Sequence, residues 1–156
     1  KPDRLVGRRQ TLVADGTPLR PVNLTSATDV PGGTPARGQW NGVALNGVTN
    51  ATRLSNLWVR YGRGVTVTDG TPAIGPLFAV WNQNQGLRAA GSSVISVTNS
   101  FFSLNDLGIS AAGTAQVTVP LPLPGMQSSV VGMPSTVTVD VSLAHTPVRV
   151  VALSTR

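Results

Sequence analysis

The chain contains neither cysteine nor glutamate, and its 156 residues include only one lysine and one histidine. Without cysteine, disulfide bonds and thiolate metal sites are excluded. The longest apolar runs are a few residues long, whereas a helix needs about 20 apolar residues to cross a bilayer, so we expect no membrane span. A hydrophobic content of 40% is nevertheless too high for a disordered chain. A folded domain with a buried core is expected.

Positive charge is concentrated towards the N-terminal end of the chain. Nine of the twelve basic residues precede position 64, and the net charge is +6. Such a surface attracts acidic glycans or nucleic acid, although a solvated arginine-rich surface explains the same bias. No motif that reads RNA or DNA accompanies the arginines, so nucleic acid is not an expected partner.

A glycine followed by an aliphatic residue recurs with a 22-residue period, at Gly42-Val43, Gly64-Val65, Gly86-Leu87 and Gly108-Ile109. When the repeats are aligned, two further sets of equivalent positions, here called columns, show the same 22-residue spacing. They contain Gly47, Asp69, Gly91 and Gly113, and then Trp58, Val80 and Phe102. A fixed short period is typical of a solenoid, in which each unit buries its apolar face only against the next unit.

The repeating units are rich in Val, Thr, Ser, Asn and Gly and lack helical periodicity, which predicts strands and tight turns. Each unit holds three short strands, which in the first unit lie at the glycine-aliphatic pair, near residues 51–54 and near residues 57–59. Stacked units would form long parallel sheets. We expect the four aliphatic residues to form one buried stack, with the four glycines at equivalent corners.

Several segments of the chain carry a family resemblance. They read TLVADGTPLRPVNLTSATD, GQWNGVAL, LSNLWVRYGRGVTV, TPAIGPLFAVWNQNQGLRA and FFSLNDLGISA. Over about residues 8–119 the chain resembles the right-handed parallel β-helix, of pectate-lyase-like fold, found in bacterial surface and secreted proteins. The resemblance implies an all-β solenoid at an extracellular or cell-surface location, and right-handed coils also follow the rule for parallel crossovers. It implies no particular activity.

The end of the repeat at Val119 divides the chain into three expected parts. Residues 1–119 are predicted as β-helix coils, and residues 120–127 as a connection in which alternating prolines interrupt the strand ladder. Residues 128–156 are interpreted as a C-terminal β-hairpin that turns near His145, as a cap, or as the start of a following module. The opening Lys1-Pro2-Asp3-Arg4 suits an internal piece of a longer protein.

Residues 32–38 form a loop inserted into the coils. Loops that project from a solenoid often bind partners. A plain flexible excursion explains this loop equally well.

Catalytic chemistry has little support in this sequence. Glycoside hydrolysis generally uses two opposed carboxyl groups, and no two of the six aspartates stand at adjacent or 22-residue spacing. His145 is expected in a turn, where it would be solvated. Neither a histidine cluster nor an Asp-x-Asp calcium loop is present. We therefore expect no enzyme activity, no metal and no cofactor.

The middle coils carry aromatic and basic residues that would suit carbohydrate: Trp58, Arg60, Arg63 and Trp81. Exposed aromatic rings can stack on sugars, and arginines hold acidic groups. Trp58 and Arg60 share one face of a strand, which lies outside the coils in one register and inside in the other. A separate set of amides could form a structural ladder; it comprises Asn82, Asn84, Asn99 and Asn105.

Two functions remain open from the sequence. The first is a non-catalytic structural or adhesive module of a larger cell-surface or filament-forming extracellular protein. Its partners would be other copies or neighbouring modules, because open strand edges pair with other chains. The alternative is a polysaccharide-binding module of a carbohydrate-active or tailspike-like protein, with acidic polysaccharide bound at the four aromatic and basic residues above.

Overall fold

The computed structural model describes residues 5–8, 11–120, 129–133, 136–140 and 149–152. Within these ranges every helix or strand is a β-strand, as the sequence predicts. The first coil contains β1 (Leu5–Arg8), β2 (Val13–Asp15) and β3 (Val22–Leu24). The second contains β4 (Val43–Asn46), β5 (Arg53–Ser55) and β6 (Leu57–Arg60), and the third contains β7 (Val65–Thr68), β8 (Ala73–Ile74) and β9 (Leu77–Val80).

The fourth coil contains β10 (Gln85–Ala90), β11 (Val94–Ser96) and β12 (Phe101–Ser103). It is followed by β13 (Leu107–Ala112), β14 (Gln116–Pro120), β15 (Ser129–Met133), β16 (Thr136–Asp140) and β17 (Arg149–Ala152). The strands are short because turns interrupt each coil at its corners.

Strands from successive coils stack into three faces, and every pair of them is parallel. The seven-stranded long sheet has the order β1-β4-β7-β10-β13-β15-β17, and the four-stranded sheet has the order β12-β9-β6-β3. The third face, here called the split face, contains the sheets β2-β5-β8 and β11-β14-β16. A bridge between Ile74 and Val97 joins these two sheets. The fold is a parallel β-solenoid, as predicted, and the handedness of its coils stays a prediction.

The predicted aliphatic stack lies inside the long sheet. Val43 pairs with Val65, Val65 with Leu87, and Leu87 with Ile109. Each of these side chains is at most 1% exposed. They pack in one core with apolar residues from the other two faces, including Leu54, Leu57, Ile74, Leu77, Ile95 and Phe102. Burying one such side chain contributes about 1.5–3 kcal/mol, so this core is what holds successive coils together.

The two glycine columns differ in backbone conformation. Gly42 and Gly64 lie in the left-handed region, with φ of 75° and 81°. Gly86 and Gly108 are aligned with them but lie inside the longer strands β10 and β13. The four glycines are therefore aligned in successive coils, as predicted. The prediction that all four share one corner conformation is wrong, because only Gly42 and Gly64 have positive φ. In the second column all four residues have positive φ, and these are Gly47, Asp69, Gly91 and Gly113.

The register expected for the aromatic column is wrong. Trp58 pairs with Phe78 rather than Val80, and Phe78 pairs with Phe101. The step from β6 to β9 is thus two positions shorter than the period of the long sheet, and the step from β9 to β12 is one position longer. From β4 to β13 the long sheet keeps a constant 22-residue step, because the repeating aliphatic residues lie in its strands, whereas corners of different length shift the other faces.

The C-terminal strands continue the parallel sheets. β15 pairs with β13, β17 pairs with β15, and β16 pairs with β14. β16 and β17 thus lie in different sheets, and this pairing replaces the antiparallel hairpin. Alternating apolar and polar residues satisfy a coil strand as well as a hairpin strand, which explains the error. The turn expected near His145 and most of the connection 120–127 lie outside the described residues, and the division into three parts stays a prediction.

Candidate functional site

The outer surface of the four-stranded sheet carries stacked aromatic rings. Trp58 is half-buried between the fully buried Leu57 and Val59, so it lies outside the coils with Arg60. Its ring stacks on that of Phe78, with centroids 4.8 Å apart and planes 11° apart. The Arg60 guanidinium carbon lies 5.8 Å from the Trp58 ring centroid, within cation–π range. The register that would pack Trp58 inside is excluded.

A second aromatic pair lies at the corner that follows this sheet. Tyr61 and Trp81 stack with centroids 5.5 Å apart and planes 11° apart. Tyr61, Trp81 and Leu104 all have φ between 55° and 57°, which places the same left-handed turn in successive coils. Trp81 is 41% exposed and Leu104 is 57% exposed. The two aromatic pairs therefore join neighbouring coils, and each tryptophan has one ring face covered by its partner.

The two candidate arginines differ in their contacts. Arg60 forms an ion pair with Asp29, with 3.0 Å between Nη2 and Oδ2, and both side chains are less than one-third exposed. Thr25 Oγ1 donates to the same Asp29 oxygen at 2.7 Å. Arg63 is exposed and makes no ion pair among the described residues. Of the two cations, Arg63 is the one left available to an acidic ligand.

The inserted segment is fixed along the corner of the solenoid. We call residues 25–41 the strap. Arg37 donates from Nε and Nη2 to the carbonyl oxygen of Asn82, at 3.1 and 2.8 Å, and forms an ion pair with Asp106. Trp40 Nε1 donates to the carbonyl oxygen of Arg60 at 2.8 Å. These contacts join the strap to several coils, and a partner-binding role for residues 32–38 stays a prediction.

All carboxylates with described side chains make structural contacts. Asp15 pairs with Arg53 at 3.3 Å, Asp29 with Arg60, and Asp106 with Arg37. Asp69 Oδ1 accepts hydrogen bonds from the backbone nitrogen and the hydroxyl of Ser92, at 2.9 and 3.1 Å. Each contact joins two coils or joins the strap to a coil.

Asp106 has a perturbed acidity. The backbone N–H of Asn84, which donates to its carboxylate, and then the Arg37 guanidinium hold the pKa of Asp106 below its ordinary value. Both contacts favour the charged carboxylate.

An amide ladder crosses the interior at the strap corner. The Asn82 side chain is fully buried, donates from Nδ2 to the carbonyl oxygen of Val59 at 2.9 Å, and accepts from Gly62 N at 3.1 Å. Asn105 repeats the arrangement one coil later, where its Nδ2 donates to the carbonyl oxygen of Ala79 at 2.8 Å. The predicted ladder is confirmed for this pair. Asn84 and Asn99 are exposed and lie outside it.

A groove on the split face has no counterpart among the sequence-based expectations. The groove has a volume of about 630 Å³. It lies over β5, β8 and β11 and is lined by Asp15, Asn50, Arg53, Leu54, Ser55, Thr71, Pro72, Ala73, Ile74, Gly75, Val94, Ser96 and Thr98. Six of the thirteen lining residues are Ser, Thr, Ala or Gly, and no catalytic or metal-ligating motif marks the groove in the sequence.

Among the described residues, no group of three or more histidine, cysteine, aspartate or glutamate side chains is placed to hold a metal ion. The described part of the chain also contains no helix that is long and apolar enough to span a membrane.

No protein-family model, no curated protein and no solved structure matches this chain. The parallel solenoid is therefore established by the structure itself. The pectate-lyase-like family and the bacterial surface origin stay expectations from the sequence resemblance.

Proposed function

We propose that this chain is a non-catalytic structural or adhesive module of a larger extracellular or cell-surface protein, of the kind found in bacteria. The observation that carries the proposal is that the polar side chains make contacts between coils. Its four described carboxylates and the buried Asn82 all join coils to one another or to the strap. Glycoside hydrolysis generally uses two opposed carboxyl groups that meet the substrate, whereas in this chain the described carboxylates lie between coils or between a coil and the strap.

The first test separates scaffold from enzyme. Purified protein is incubated with pectate, alginate and xylan, and new reducing ends and unsaturated products are measured, alongside Asp29→Asn and Asp106→Asn variants. We expect no turnover by any form and a lower unfolding midpoint for both variants. Turnover by the native chain that either substitution abolishes would contradict the proposal.

Self-association is proposed to use the N-terminal end of the coil stack. Among the described strands, β2 and β3 pair on one side only. The first-coil apolar residues Leu12, Ala14, Val22 and Leu24 are only partly buried against the core. An edge strand above a partly open core is a surface on which a further coil can stack.

The backbone of β2 indicates which groups a further coil would use. Arg53 N donates to the Leu12 carbonyl oxygen at 2.9 Å, and Gly16 N donates to the Ser55 carbonyl oxygen at 2.8 Å. Because backbone groups alternate in direction along a parallel strand, the N–H of Val13 points away from β5. Proline at this position therefore removes a free-edge donor without removing a bond inside the chain.

Sedimentation velocity over a wide concentration range tests this part. We expect the native chain to associate at high concentration and Val13→Pro to remain monomeric with an unchanged unfolding midpoint. Val94→Pro serves as the contrast, because the Val94 N–H donates to the Gly70 carbonyl oxygen at 3.1 Å, and its loss should destabilise the fold. A native chain that stays monomeric at millimolar concentration would rule out self-association while leaving the scaffold proposal standing.

A further inference from the structure

The groove on the split face arises from a shift in coil register. The step from Leu54 to its partner Ile74 is two positions shorter than the period of the long sheet, and the step from Ile74 to Val97 is one position longer. The third coil is short here and the fourth is long, so the two sheets of this face part between β8 and β11. Ala73 and Gly75 lie where the two sheets separate, and their small size leaves a depression in the surface.

The backbone of the groove floor is already paired. Ala73 N donates to the Thr52 carbonyl oxygen at 2.9 Å, Gly75 N to the Leu54 oxygen at 2.8 Å, and Thr98 N to the Ile74 oxygen at 3.3 Å. A peptide strand gains affinity by adding to unpaired backbone groups at a sheet edge, and the N–H groups of Ala73, Gly75 and Thr98 are already bonded within the chain. Recognition at these positions must come from side chains.

The side chains of the groove offer free hydroxyl and amide groups. Thr71, Ser96 and Thr98 are exposed, and their hydroxyls make no hydrogen bond within the described residues; the same holds for the amide of Asn50. Val94, which is 51% exposed, and the exposed Ala73 add apolar surface between them, whereas Leu54, Pro72 and Ile74 are buried. Alternating hydroxyl partners and apolar contacts suit a ligand whose own hydroxyls and C–H faces alternate along its length.

The charge of the groove is balanced. Asp15 and Arg53 form an ion pair at its N-terminal end, with side chains 45% and 58% exposed. Among the described residues, they are the only charged ones that line it. A strongly acidic polymer would meet the Asp15 carboxylate and find no unpaired cation, so a neutral ligand fits better.

We propose that the groove binds a neutral polysaccharide, whose chain lies along the solenoid axis across β5, β8 and β11. This inference rests on the polysaccharide-binding alternative and moves the site away from Trp58, Arg60, Arg63 and Trp81. A volume of about 630 Å³ lies within the usual range of about 300–1,000 Å³ for ligand sites.

The test uses cellohexaose, xylohexaose and maltohexaose as neutral probes and hexagalacturonate as an acidic probe, with affinity measured by calorimetry. Ala73→Trp fills the groove, and Thr66→Trp is the matched control on the outer face of the long sheet. Trp81→Ala removes the exposed aromatic ring. We expect one neutral probe to bind, Ala73→Trp to weaken that binding by about tenfold or more, and the other two variants to leave it unchanged.

Three results would overturn the groove proposal. The first is an absence of binding by all neutral probes. The second is loss of binding in Trp81→Ala but not in Ala73→Trp, which would return the site to the aromatic corner. The third is a competition experiment in which only acidic oligomers or extended peptides displace the bound saccharide. None of these results bears on the scaffold proposal, which depends on turnover and unfolding measurements.

Discussion

At the scale of single residues, the direction of each side chain follows from alternation along the strands. Val65 is 1% exposed, whereas its neighbour Thr66 points outwards and is half-buried. Position within the turn matters equally. The residue just after each left-handed corner points into the coil, which is why Asn82 and Asn105 form the ladder while Asn84 and Asn99 remain outside.

Val65→Asp is expected to unfold the coil stack. The substitution removes about 1.5–3 kcal/mol of apolar burial and places a carboxylate where it has no partner, which costs still more. Thr66→Asp, on the outer face of the same strand, should unfold within about 1 kcal/mol of the native chain. Urea unfolding followed by circular dichroism measures both. A cooperative, near-native transition for Val65→Asp would show that the stack is not buried.

Asn82→Leu is expected to destabilise the chain by at least about 2 kcal/mol. The Gly62 N–H and the Val59 carbonyl lose the amide that meets them, and a buried polar group without a partner costs about 1–3 kcal/mol. The exposed neighbour supplies the control, because Gln83→Ala should change the free energy of unfolding by less than about 0.5 kcal/mol. Equal effects of the two substitutions would mean that the ladder contributes nothing.

At the scale of elements, the sequence predicts some features better than others. The 22-residue period correctly predicts the long sheet from β4 to β13, because the repeating aliphatic residues lie within its strands. It does not predict the register of the other faces, since coil corners lengthen and shorten between the repeating pairs. This is why the period aligns Val80, rather than Phe78, with Trp58. Neither the groove nor the strap contacts follow from the period, because both depend on those corner lengths.

The strap should lose part of its attachment in acid. The pKa of Asp106 is lowered in the folded chain, so its contribution is present above the ordinary aspartate range and is lost as pH falls through the lowered value. Asn at this position accepts the Asn84 bond but cannot pair with Arg37 electrostatically. Since both charged side chains are well exposed, the difference between native chain and Asp106→Asn should not exceed about 1 kcal/mol at pH 7.

Urea midpoints of the native chain and Asp106→Asn, recorded between pH 7 and pH 2, measure this contribution. The two curves should be separate near neutral pH and converge in acid. A separation that grows as the pH falls would contradict the lowered pKa. An Asp69→Asn series provides the comparison, because the Asp69 carboxylate accepts hydrogen bonds from Ser92 and makes no ion pair within the described residues.

At the scale of the whole molecule, the groove arises where the split face departs from the 22-residue period. The core and the aromatic pairs depend on the stacking of parallel coils along one axis, which repeats every 22 residues from β4 to β13. The proposed scaffold function depends on it too, because a rigid module is built by repeating one coil contact along an axis.

Paired cysteines test the stacking most directly, since the native chain has no cysteine to interfere. Thr66 and Arg88 are partners in neighbouring parallel strands. Their separation of about 4.8 Å falls within the range of about 4.4–6.8 Å between the Cα atoms of a disulfide. Ala90 pairs with Thr68 instead, so its Cα lies more than about 7 Å from that of Thr66.

The measurement is the extent of intramolecular disulfide formation under mild oxidation, read by intact-mass spectrometry. The account predicts nearly complete closure for Thr66→Cys/Arg88→Cys and little closure for Thr66→Cys/Ala90→Cys. No closure in the first pair, or equal closure in both, would contradict the parallel 22-residue register.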